Sequence, residues 1–266
     1  MKNILLLAHD DEGQEARLQA ALDLVRALDG HLKCIDVVQL PALVGDCCNA
    51  QADAILLAQA REAEAENRER LEARLSREGV AWDWTNATGD IADRVTRAAE
   101  MADLIVLNRE LDEAPVPDMH GITSRVVTKA RKPVVAMPPT AERLNVLGRA
   151  MIAWDGKECA AETMRACVPL LKLASAVHIF AVGEGGAKVD IREAAAYLSR
   201  HGIHASVRVI DHGPATPDAL IADEAAAWRA DYIVMGAYGR GRLMETFGGV
   251  TKRLLKTAKV PLILGH

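Results

Sequence analysis

Two blocks of this chain recur at one fixed offset. Ala102-Asp103-Leu104-Ile105-Val106-Leu107 reads like Ala230-Asp231-Tyr232-Ile233-Val234-Met235, and residues 122–135 read like 250–263, each 128 positions later. The opening run, residues 2–10, has a counterpart in 149–155: a short apolar stretch, Ala, a ring-bearing side chain, then Asp10 or Asp155. Agreement of that length and order marks a tandem duplication. The chain therefore reads as two copies of one architecture, residues 1–140 and 147–266, each the size of a small domain. Between them, 138–148 carries Pro138-Pro139 and polar residues, and reads as a linker separating two cores.

Within each copy the hydrophobic period alternates. In the second copy, short β-branched and Leu-rich runs predict strands at 149–154, 176–182, 204–210, 231–235 and 260–264. Helical spacing predicts helices at 158–173, 189–201, 217–229 and 249–258. Apolar strands alternating with helices imply an α/β fold: two tandem open parallel five-stranded sheets with helices on both faces. The first copy follows the same order, with a longer middle helix near 51–78. There Glu62, Glu64, Glu66, Glu69 and Glu72 interleave with Arg61, Arg68, Arg70 and Arg74, which reads as a solvated face laced by i,i+4 pairs.

Composition excludes several classes. Net charge is −5 and aromatics make up 3%, which fits neither a DNA binder nor a base-stacking surface. The charge is uneven: residues 1–145 hold 17 Lys and Arg against 25 Asp and Glu, and the remainder hold 15 against 12. No apolar run approaches membrane-spanning length. The apolar stretch at the N-terminus is too short for a signal-peptide core, so a cytoplasmic protein is expected. Five cysteines without C-x-x-C spacing do not make a disulfide framework. Cys34, Cys159 and Cys167 read as core residues, and the adjacent Cys47-Cys48 as an incidental loop pair. His201, His204 and His212 straddle a helix end and a strand start and read as surface histidines. No Ser/His/Asp or Cys/His arrangement stands out, so no enzyme is expected, a slow ATPase being the one activity left open.

The glycine-rich segment of the second copy carries the chemistry. After the strand ending at Met235 comes Gly236-Ala237-Tyr238-Gly239-Arg240-Gly241-Arg242, then Gly248-Gly249-Val250-Thr251 at a helix start. Open parallel sheets bind ligands at the carboxyl ends of their strands. Glycines let bare amides approach phosphate oxygens, and a helix N-terminus adds unpaired N–H groups and a favourable dipole. Arg240, Arg242, Lys252 and Arg253 are the nearby cations. A structural turn needing positive φ is the competing reading of the same glycines. A P-loop is excluded, because Arg242-Leu243 follows Gly236-x-x-x-x-Gly241 where Lys and Ser/Thr are required. No G-x-G-x-x-G follows the first strand of either copy.

Three features together resemble the universal stress protein family: the first strand ending in Asp155; Asp231-Tyr232-Ile233-Val234-Met235-Gly236-Ala237-Tyr238-Gly239; and Gly248-Gly249-Val250-Thr251 followed by Val260-Pro261-Leu262-Ile263-Leu264. The resemblance spans nearly the whole chain as two copies. It implies a Rossmann-like, adenine nucleotide alpha hydrolase-like fold, and ATP, alone or with Mg²⁺, bound through a G-x2-G-x9-G-[S/T] pattern. Carried over by position, Asp155 would sit near the ribose or phosphates, Val182 would hold adenine through its backbone, and Gly236, Gly239, Gly248 and Gly249 would wrap the phosphates. The function implied is a stress-response module with a regulatory nucleotide; the alternative is an interaction module of the same fold without nucleotide.

This chain departs from that pattern. Eight residues rather than nine separate Gly239 from Gly248, and Gly249 takes the hydroxyl position; keeping nine puts Val250 there instead. Either way one hydrogen bond to phosphate is lost, worth about 1–3 kcal/mol, unless Thr251 turns inward. The first copy looks emptied: Asn108, Leu111 and His120 replace Gly236, Gly239 and Gly248, and only Gly121 survives, beside Glu110, Asp112, Glu113, Asp118, Pro115 and Pro117. No ATP is expected there, although His9 and Asp10 end its first strand as Trp154 and Asp155 end the other. The first copy is expected to pair with the second through the last strands, 133–137 and 261–265, which would hide two sheet edges. A further homodimer is left open.

Overall fold

The computed structural model describes residues 1–39, 50–109, 118–183, 189–211, 213–237 and 249–266. The first half holds β1 (Asn3–Leu7), α1 (Gln14–Leu28), β2 (His31–Val38), α2 (Ala50–Leu75), β3 (Ala81–Thr88), α3 (Ile91–Ala98), β4 (Leu104–Asn108), α4 (Met119–Ala130) and β5 (Val134–Met137). The second holds β6 (Arg149–Trp154), α5 (Glu158–Ala166), α6 (Val168–Leu171), β7 (Ala176–Val182), α7 (Ile191–Arg200), β8 (Ala205–Ile210), α8 (Pro217–Ala227), β9 (Tyr232–Gly236), α9 (Gly249–Thr257) and β10 (Leu262–Gly265).

The ten strands among the described residues form one sheet in the order β3-β2-β1-β4-β5-β10-β9-β6-β7-β8. Each half is a parallel five-stranded sheet, and the halves meet where β5 and β10 run antiparallel, Val135 opposite Ile263. Strands buried on both faces need apolar residues facing both ways, and Ile4–Leu7 of β1, Leu104–Leu107 of β4, β5, β9 and β10 supply them. The outermost strands β3 and β8 are largely exposed instead, with Val207 and Val209 reaching water on β8.

Alternation along each strand feeds two apolar layers. One packs α1, α2, α5, α6 and α7 on the Ile4–Leu6 face; the other packs α3, α4, α8 and α9 on the Leu5–Leu7 face. Both layers run without a break across the β5–β10 seam. The segment 138–148 is therefore no gap between cores: Leu144 and Val146 are buried, and the Leu144 amide donates to Asp23 of α1 at 3.0 Å. The duplication is visible in detail. Asp103 Oδ2 accepts from the Lys2 and Asn3 amides at 2.6 and 2.9 Å, and Asp231 Oδ2 accepts from the Arg149 amide at 2.6 Å, so each carboxylate pins the start of its half's first strand.

One predicted helix is broken. The helical pattern over 158–173 becomes α5 and α6, because Pro169 has no N–H for the Arg165 carbonyl and its ring crowds that turn.

Candidate functional site

In both halves the chain leaves its first strand in one direction and later returns on the other side of it. This places switch points between β1 and β4 and between β6 and β9, where open parallel sheets form clefts. At the second switch point lies a cleft of ≈ 710 Å³, within the size range of small-molecule sites. Asp155, Val182, Gly236, Gly249, Val250 and Thr251 all line it, drawn from the ends of β6, β7 and β9 and the start of α9. Gly239, Arg240 and Gly248, with Arg242, lie outside the described residues.

Phe180, Ile221 and Met235 make an apolar wall in this cleft. Trp154 lines the cleft and is at the same time buried in the core, its indole N–H donating to the Val189 carbonyl at 3.3 Å. Asp155 begins the turn after β6, where its Oδ1 accepts from the Lys157 amide at 3.0 Å while the Lys157 ammonium lies 3.3 Å from Oδ2. Its side chain keeps 55% of its surface exposed. Gly236 has a packing reason to be glycine: a Cβ there would lie 2.5 Å from the Ala160 amide nitrogen, so α5 rides directly over it. Gly249 opens α9 at the surface, and a Cβ on it would meet the Arg253 guanidinium, which is engaged by Asp218 at 2.7 Å. Thr251 is buried; its counterpart Thr123 donates its hydroxyl to the Asn108 carbonyl at 2.7 Å.

The first switch point is built differently. Arg17 of α1 is fully buried, and its guanidinium donates to the carbonyls of Leu7 and His9, to both oxygens of Asp11 and to Asn108 Oδ1. Asp11, closed off from water, makes the same turn as Asp155 by accepting from the Gly13 amide at 2.8 Å. The first-strand equivalence also shifts. Ile4 pairs with Leu104 as Ala150 pairs with Tyr232, so His9 falls at the strand position of Asp155. Counted from these equivalent positions, the chain takes two residues more to reach α1 than to reach α5, and Asp10 matches neither the strand position nor the turn of Asp155. At α4, Asp118 caps the helix by accepting from the Gly121 amide at 2.9 Å, placing a carboxylate where a bound anion would go. Leu111, Glu110, Asp112, Glu113, Pro115 and Pro117 lie outside the described residues, as do Cys47, Cys48 and His212. His204 is exposed, and His201 packs against the Tyr197 ring. Cys34, Cys159 and Cys167 are buried, and burial pushes the Cys34 and Cys167 thiols up to about 12.

A second cluster escaped sequence reading. His9, Asp36 on β2 and Glu64 on α2 bring one ligating atom each to within 4.8 Å of one another. Glu64 is 7% exposed, which overturns its reading as part of a solvated helix face. Burial, then the neighbouring Glu64 carboxylate, push Asp36 up to about 7. Burial opposes the charge of Glu64 too, but His9, Asp36 and Asn67 hold it below the usual carboxylate range. The signal available beforehand was Asp36 itself, a lone carboxylate inside the apolar run Cys34-Ile35-Asp36-Val37-Val38.

Comparison with known proteins accords with this layout. Residues 149–265 match the model of the universal stress protein family. Along its full length the chain is similar in fold to a universal stress protein from Archaeoglobus fulgidus DSM 4304, at 19% identity and a TM-score of 0.75, covering 99% of this chain and 95% of that one. A functionally unknown protein from Pseudomonas aeruginosa PAO1 is similar at 17% identity and a TM-score of 0.65, covering 100% and 92%. No curated protein matches by sequence.

Proposed function

We propose that the second half binds an adenine nucleotide, ATP in the first instance, as a regulatory ligand rather than as a substrate for turnover. The observation that carries this reading is the contrast between the two switch points: the cleft at β6 and β9 is open with Asp155 accessible, whereas the equivalent place between β1 and β4 is filled by Arg17 and Asn108. The residues fit the ligand's parts. The backbone at Val182 and the wall of Phe180, Ile221 and Met235 suit adenine. Asp155 suits the ribose hydroxyls or a Mg²⁺ ion accompanying the phosphates. The N-terminus of α9 at Gly249 suits a phosphate, with Gly239, Arg240 and Gly248 completing the wrap in sequence. Val250 and Thr251 line that end of the cleft. Occupancy would then bias conformation or partner choice, in a protein working in the cytoplasm.

A second reading, an interaction module without nucleotide, draws on the shortened glycine segment, its missing hydroxyl, and a Gly236 whose bare Cα accommodates α5. Mass spectrometry of the protein as purified separates the two. Co-purifying ATP or ADP is the expected result; absence of nucleotide, together with no heat on calorimetric titration with millimolar ATP, favours the interaction module.

A further inference from the structure

The cluster at His9, Asp36 and Glu64 lies in the other half of the chain and shares no residue with the lining of the nucleotide cleft, so it plays no part in that site. We propose that these three side chains form a binding site for a divalent transition-metal ion of the zinc(II) class.

Three atoms point to a ligand. His9 Nδ1, Asp36 Oδ1 and Glu64 Oε2 are buried and have no hydrogen-bond partner among the described residues. His9 Nδ1 lies 2.9 Å from the other Glu64 oxygen, close enough for an ion pair but without hydrogen-bond alignment. Asp36 is 4% exposed and Glu64 7%, so neither carboxylate finds its missing partner in bulk water. Buried polar atoms without partners are rare in native folds and call for an ion or an ordered water. Charge leads to the same class. A dication would offset the mutual repulsion of two carboxylates brought together in a buried setting.

Geometry and donor type narrow the choice. Bonds of about 2.0–2.2 Å set neighbouring ligand atoms roughly 3–4 Å apart, so a 4.8 Å spread closes by small side-chain rotations. An imidazole nitrogen beside carboxylates favours zinc-like ions over Mg²⁺ or Ca²⁺, which take oxygen ligands. The supporting shell is in place. The His9 carbonyl is held by Arg17 at 2.6 Å, and Asn67, one turn after Glu64, is clamped by Gln14 at 2.8 and 2.9 Å and by Arg70 at 2.8 Å. A cleft of ≈ 640 Å³ between α2 and β2–β3 opens onto Asp36 and Glu64, giving an ion an entry route and room for a water as fourth ligand.

The test is calorimetric titration of chelator-stripped protein with zinc chloride, without nucleotide. Wild type is expected to bind a single equivalent. Glu64→Gln and Asp36→Asn should each weaken that binding by at least about tenfold. Glu64→Gln preserves side-chain shape, so it separates loss of a ligand from loss of the fold. Cobalt(II) in place of zinc gives a second readout, with visible absorption bands in wild type that the variants lose. Absence of saturable zinc binding by wild type overturns the proposal, as does zinc binding undiminished in both variants.

Discussion

The Arg17 guanidinium and the Asn108 side-chain carbonyl meet at the point where β1 and β4 diverge, and Asn108 in turn fills the space that a Cβ on Gly13 would need, its Oδ1 2.5 Å from that position. The second half resolves the same junction with the small residue on the other partner: Gly236 is bare, and the α5 backbone moves in over it. Gly13→Ala and Gly236→Ala should therefore each destabilise the fold by about 1–3 kcal/mol through overpacking. Urea denaturation midpoints check this, and unchanged midpoints would mean that neither junction is tight.

Arg17 is the only cation bonded to Asp11 among the described residues, and both side chains are shut off from water. Arg17→Met leaves a buried carboxylate uncompensated and should cost about 3–5 kcal/mol. Adding Asp11→Asn should recover a good part of that loss, because the second change removes the stranded charge. Equal stability of the single and double variants would contradict the pairing.

Much of the architecture was legible in the sequence, because duplication and alternating periods leave marks that packing does not erase. The second-half strands fall within two residues of where the apolar runs placed them, and α9 begins at Gly249 as its glycine pair suggested. What stayed hidden is what depends on distant partners. An arginine on an amphipathic helix reads as solvent-facing, and only the fold brings Arg17 to Asn108, 91 positions away. Glu64 looked like its neighbours Glu62 and Glu66 until β2 supplied Asp36. Asp155, Val182, Gly236, Gly249, Val250 and Thr251, which the family resemblance singled out, line one cleft because each lies at a strand end or a helix start.

Acid should weaken the second half through His178. Burial holds its imidazole below the ordinary value of 6.5, as does Arg208, while Glu224 at 3.1 Å and Ser206 at 2.8 Å favour the protonated form. The unfolded chain then binds the proton more readily than the folded one. The stabilisation is complete above the unfolded value and is lost as pH falls through the folded one. Urea midpoints recorded from about pH 7.5 down to about pH 5 should fall more steeply for wild type than for His178→Gln. Parallel slopes would show that His178 does not contribute to the acid sensitivity.

The β5–β10 seam covers one edge of each five-stranded half. Residues 147–266 produced alone would expose β10, with Leu262, Ile263 and Leu264 beside an unpaired backbone. That fragment should self-associate in sedimentation experiments, whereas the full chain has this edge occupied. A monomeric fragment at high concentration would show that the seam is not needed to protect the edge.

In the proposed function the two switch points differ, the second receiving an adenine nucleotide and the first closed by its own side chains. A crystal structure of the full chain grown with excess ATP tests it most directly. Nucleotide density is expected at the carboxyl ends of β6 and β9, against Asp155 and the start of α9, and none between β1 and β4. Density beside Arg17 and Asn108 with an empty second cleft would contradict it.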